Sequence, residues 1–114
     1  MFTLAVTPAY WWPVVVNAPT DDGEVGTSQF DAQFKRLTQT EYDALVASLK
    51  GSAALGDVSI ARSLVIGWRG VNDGQGQAIT FTDGTLGQLL DIQGTATAIV
   101  RAYTGSLAKA AEKN

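Results

Sequence analysis

The hydrophobic pattern of this chain changes period once, near Thr38, and that change limits what it can fold into. Before it, Phe30, Ala32 and Phe34 alternate with Gln29, Asp31, Gln33 and Lys35. A period of two marks a half-buried strand with one wet face. After it, Tyr42, Leu45, Val46 and Leu49 recur at i, i+3, i+4 and i+7, the spacing of a single helix face. Strands first and helices afterwards predict an α+β fold: an amino-terminal antiparallel β-hairpin or small sheet, then a bundle of about four short helices. At 114 residues the chain reads as one domain, mainly β over 1–37 and mainly α over 38–114.

The hairpin is expected from about Tyr10 to Leu37. Tyr10-Trp11-Trp12-Pro13-Val14-Val15-Val16 is aromatic and β-branched, as strands prefer. Asn17 to Gly23 carries turn chemistry, with Pro19 fixing φ and Gly23 tolerating a tight backbone. Phe2 to Thr7 also alternates in polarity and is a candidate third strand. Thr40-Glu41-Tyr42-Asp43 resembles a capping box, with Asp for the preferred Glu, and Gly51 supplies a stop.

Asp57 can cap a second helix in which Ile60, Ala61, Leu64, Val65 and Trp68 form one stripe. A strand over Ser63 to Trp68 competes with it, and the periodicity favours the helix. A loop over Gly70 to Gln77 leads to an extended piece, Ala78 to Phe81. Thr82 or Asp83 then caps a short helix with Leu86, Leu89 and Leu90. The last helix runs from about Gly94 to Glu112, with Ala96, Ile99, Val100, Tyr103 and Leu107 as its stripe. Lys109 and Lys113 lie near the negative end of its dipole.

Residues for chemistry are scarce. The chain has no histidine and no cysteine, which removes the commonest general base and the ligands of zinc and most transition metals. No cofactor or metal is expected, and no catalytic residue stands out. Asp21, Asp22 and Glu24 lack the register of a calcium loop and read as a solvated hairpin tip. Gly70, Gly74 and Gly76 fit no phosphate-binding fingerprint. Ser106 and Lys109 match the Ser-x-x-Lys pattern of penicillin-recognising enzymes, without its companion motifs.

A net charge of −3 with scattered Lys and Arg argues against nucleic acid, which demands a basic face. The apolar run Ala9 to Val16 is far short of the ~20 residues that span a bilayer. No basic n-region opens a secretory signal, so a cytosolic protein is the default expectation.

The tryptophans carry the recognition argument. Phe30, Phe34, Trp68 and Tyr103 read as structural, because each belongs to an apolar stripe. Trp11 and Trp12 are adjacent strand residues and face opposite ways. The larger apolar set, Tyr10, Trp12, Val14 and Val16, is expected to pack on the helices. Trp11, Pro13 and Val15 then face outward as the candidate partner-binding residues. Pro13 cannot donate to a ladder, which places its strand at a sheet edge or a bulge.

An ordered series of motifs is similar to the tail assembly chaperones of long-tailed bacteriophages and prophages. It comprises Phe30-Asp31-Ala32-Gln33-Phe34-Lys35-Arg36-Leu37, Gly67-Trp68-Arg69-Gly70-Val71, Asn72-Asp73-Gly74-Gln75-Gly76 and Ile79-Thr80-Phe81. Leu89-Leu90, Ala102-Tyr103 and the closing Glu112-Lys113-Asn114 complete it. The resemblance implies a non-catalytic protein of the infected host's cytoplasm, absent from the finished virion. It would coat the apolar, helical tape measure protein until tail tube subunits polymerise around it. It further implies, as partners, the tape measure protein and a frameshift-extended form of the chain itself, with homo-oligomers open. The alternative reading is a virion structural protein, a head–tail connector or tail terminator, forming a ring. A small enzyme with an oxygen-ligated metal is the other rival.

Overall fold

The computed structural model describes residues 8–49 and 56–112. The candidate strand at Phe2 to Thr7, the stop at Gly51, Lys113 and the side chain of Leu49 lie outside what is described. The order of elements is β1 (Ala9–Pro19), β2 (Val25–Lys35), α1 (Gln39–Leu49), α2 (Gly56–Leu64), β3 (Val65–Arg69), α3 (Asp83–Leu90) and α4 (Thr95–Glu112). β1, β2 and β3 form one antiparallel sheet in that order, so the fold is α+β.

The β1–β2 turn is shorter than the sequence suggests, because Asn17, Ala18 and Pro19 still pair across to Thr27, Gly26 and Val25. The chain reverses over Thr20 to Glu24, with Gly23 at a φ of 82°. Only glycine adopts that conformation without strain.

Alternation sorts the sheet into two faces. The inner face sets Val14 beside Phe30, and Phe34 between Tyr10 and Val65. Ala32 lies between Trp12 on one side and Trp68 on the other, so a small side chain separates two indoles. Phe30, Ala32, Phe34, Trp68 and Tyr103 are all buried in a single core with Leu64, Leu86, Leu90 and Ile99. α4 packs beside β1, α2 beneath β2 and β3, and α3 against both helices.

Two helix readings are corrected. The second helix ends at Leu64, and Val65 to Arg69 is a strand. Val65 and Trp68 satisfy a helical period, yet both reach the core from β3 opposite Phe34 and Ala32. A register shift between Gln33 and Phe34 leaves Ile66 as an extra residue, which masks the period of two. The capping box of α1 is Thr38 with Glu41, not Thr40 with Asp43. The Glu41 amide donates to Thr38 Oγ1 at 3.1 Å, and the Thr38 amide donates to Glu41 Oε1 at 2.9 Å. This pair has the Glu that such a box prefers.

α3 begins as expected, with Thr82 as its N-cap and Thr85 closing the box. In α4, Ala96, Ile99, Tyr103 and Ser106 face the core, while Val100 is only half-buried. Leu107, expected in that stripe, is exposed. The helix leans on β1 through Ser106 instead, whose Oγ lies 2.8 Å from the Tyr10 hydroxyl.

Candidate partner-binding surface

β1 presents three sides, and each has a different use. Its inner side is the core face, where Val14 is fully buried and Tyr10, Trp12 and Val16 pack against the core. Its outer side carries Trp11, Pro13 and Val15, which are exposed, Trp11 by 39% and Val15 by 47%. The sequence-predicted surface residues are therefore together on one wet face. The third side is a sheet edge that no other described strand pairs with.

The outer face is organised around Trp11. The Arg69 guanidinium from β3 lies 4.1 Å from the centre of its ring, and Arg69 Nε donates to Asp31 Oδ2 at 3.2 Å. Arg69 thus reaches over β2 and covers the indole. Between them Gln33 leans over Gly67, where a Cβ would come within 2.8 Å of Gln33 Oε1. The glycine leaves room for that amide. The side chains of Arg69 and Asp31 are both solvent-facing, so this arrangement orients Trp11 more than it stabilises the fold.

The edge follows from register. The Arg36 amide donates to the Pro8 carbonyl at 2.9 Å, so even-numbered residues of β1 form the hydrogen-bonded pairs with β2. The N–H and C=O groups of Trp11, Val15 and Asn17, and the C=O of Pro13, therefore point away from the sheet. Pro13 stands where its missing N–H breaks no ladder bond, as the sequence requires of an edge strand. The opposite edge is β3, which is short, bulged and charged at Arg69. Those are the usual protections of an edge. β1 runs for 11 residues without a charge.

Beside that edge lies an open groove of about 470 Å³. Pro13, Val15 and Asn17 form one wall, and α4 forms the other with Ala98, Arg101 and Ala102. Thr97, also on that wall, donates its hydroxyl to Asp57 Oδ2 at 2.9 Å. Sequence reasoning placed Trp11, Pro13 and Val15 but missed the α4 wall, which comes from more than eighty residues further along.

Of the remaining candidate groups, Ser106 and the Gly70–Gln77 loop have structural roles. Ser106 is buried and donates to the Tyr103 carbonyl at 2.6 Å, far from the exposure a nucleophile needs, and Lys109 is exposed. The Gly70–Gln77 loop closes on Asp73, whose carboxylate accepts from the amides of Gln75 and Gln77. Asp21, Asp22 and Glu24 are exposed at the hairpin tip. Among the described residues no three acidic side chains converge on a common point, and no helix is long and apolar enough to cross a membrane.

Among the described residues two ionisable groups are shifted. Glu41 is held below the ordinary carboxylate value by the Thr38 amide first and the Thr38 hydroxyl next, with Lys35 adding to them against slight desolvation. Tyr103 is raised, by burial first and then by the neighbouring Tyr10 and Tyr42. Both shifts belong to caps and core, not to the β1 surface. No protein-family model, curated protein or solved structure matches this chain.

Proposed function

We propose that this chain is a non-catalytic tail assembly chaperone of a tailed phage or prophage. In this role it holds the tape measure protein in the host cytoplasm until tail tube subunits take its place. The observation that carries the reading is the exposed Trp11–Pro13–Val15 face beside an uncharged strand edge that is unpaired among the described residues. An apolar surface of that kind suits replaceable contacts with an apolar client.

Two of the resembling motifs, Gly67–Val71 and Ile79–Phe81, support it in a second way, because they pack on one another. Trp68 Nε1 donates to the Ile79 carbonyl at 2.8 Å, and Phe81 meets the Trp68 ring edge-on at 5.1 Å. Gly70 turns the chain at a φ of 84° between them. These two motifs thus have a packing role, which suits the non-catalytic reading.

The test is co-expression with segments of the tape measure protein from the same genome. The reading predicts that the chain keeps these segments soluble and co-purifies with them. Segments that stay equally soluble without it, or recovery of the chain as a stoichiometric virion component, would contradict it.

A further inference from the structure

The groove between β1 and α4 has a chemistry that selects its occupant. Its β1 wall offers main-chain donors at Trp11, Val15 and Asn17 and acceptors from Trp11 to Asn17, all in one row. Such a row is completed by another extended chain and by nothing helical. The stretch from Pro13 to Asn17 spans roughly 13 Å at strand rise, which accommodates about five paired residues. Small side chains, Ala98 and Ala102, leave the α4 wall shallow enough for an added strand to lie over it. Arg101 is exposed on that wall and has no ion-pair partner among the described residues.

We infer that this groove binds an extended segment of a partner protein, apolar in alternation and carrying one carboxylate that meets Arg101. A second copy of this chain is the poorer occupant for two reasons. Its own β1 brings no acidic residue to Arg101. Two-fold pairing of β1 with itself would also repeat the Pro13 gap in both strands, whereas a foreign segment meets it once. The inference is independent of the tail reading, since it names the conformation and charge of the bound segment and not its parent protein.

The experiment uses the full chain and a fluorescent, end-capped hexapeptide of sequence Thr-Val-Glu-Val-Thr-Val, followed by anisotropy. Two control peptides replace the Glu by Gln, or N-methylate alternate amides to block one hydrogen-bonding edge. The Glu peptide is expected to saturate. The Gln peptide should bind about tenfold more weakly, as loss of a charge-assisted contact implies, and the methylated one not at all. Arg101→Gln, an exposed substitution, should erase the difference between the Glu and Gln peptides.

Val15→Pro removes an outward N–H without breaking a ladder bond. It should weaken both peptides about tenfold while the melting temperature holds, since one main-chain contact of the docked strand is lost. Failure of all three peptides to saturate would overturn the inference. So would Arg101→Gln and Val15→Pro variants that bind like wild type. A dimer in sedimentation that Val15→Pro dissociates would assign the edge to a second copy and overturn it equally.

Discussion

The Tyr10 hydroxyl and Ser106 Oγ meet at 2.8 Å, joining the first strand to the last helix. Ser106 already gives its one proton to the Tyr103 carbonyl, so Tyr10 is the donor. Together with the Tyr10–Phe34–Tyr103 ring contacts, this bond sets how closely α4 approaches β1. It therefore fixes the walls of the groove. Tyr10→Phe should cost about 1 kcal/mol, the net worth of one hydrogen bond. Ser106→Ala should cost a similar amount. In a double-mutant cycle read by denaturant melts, the two losses should not add. Additive losses would mean that the pair does not couple.

Trp68 is a core residue, 9% exposed, with its N–H on the Ile79 carbonyl and its ring against Phe81. Trp68→Ala should cost about 3–5 kcal/mol, roughly a third of what a domain of this size possesses. Trp68→Phe keeps much of the packing and loses the bond, so it should fall between. Thermal melts read this directly. A stable Trp68→Ala variant would place the residue outside the core.

The start of α1 gives a pH test. Glu41 has a folded pKa below its ordinary value of 4.5. As pH falls, the unfolded chain takes up the proton first, so protonation favours unfolding of this end. The stabilisation is complete at neutral pH, declines once pH drops below about the ordinary carboxylate value, and is gone beneath the folded pKa. Amide protection across α1, measured against the intrinsic exchange rate at each pH, should therefore fall on acidification in the wild type. Glu41→Gln, whose amide oxygen can still accept from Thr38, should remove that dependence. Thr38→Ala should destabilise by about 1 kcal/mol at neutral pH.

Much of this architecture is readable from local pattern, and what is not has a physical reason. The alternation of Phe30, Ala32 and Phe34 determines which side of β2 is buried, and β1 inherits its faces by pairing with it. Turn residues at Pro19 and Gly23 mark the hairpin, though strand pairing carries on past Asn17 because a ladder ends where partners run out. Val65 to Arg69 misleads because a bulge at Ile66 breaks its alternation, and because its partner β2 is some thirty residues away. The groove is illegible for the same reason: its Arg101 wall meets Val15 only after the whole chain has folded. The outward position of Trp11 follows from parity, but its Arg69 cover is a tertiary fact.

The most direct test of the account compares the two sides of β1 in one experiment. Trp11→Ser with Val15→Thr alters the outer face, while Trp12→Ser alters the core face. Trp11 and Val15 lie on the wet face and do not pack against the core, so the double variant should melt within about 1 kcal/mol of wild type, the loss of an exposed cation–π contact. Trp12→Ser should melt distinctly lower. Each is then co-expressed with a tape measure segment, and the soluble complex is quantified. The account predicts that the double variant is folded yet at least tenfold poorer in recovered complex, the loss expected when an aromatic anchor is removed. A double variant that recovers the complex as wild type does would contradict the claim that this face binds the partner.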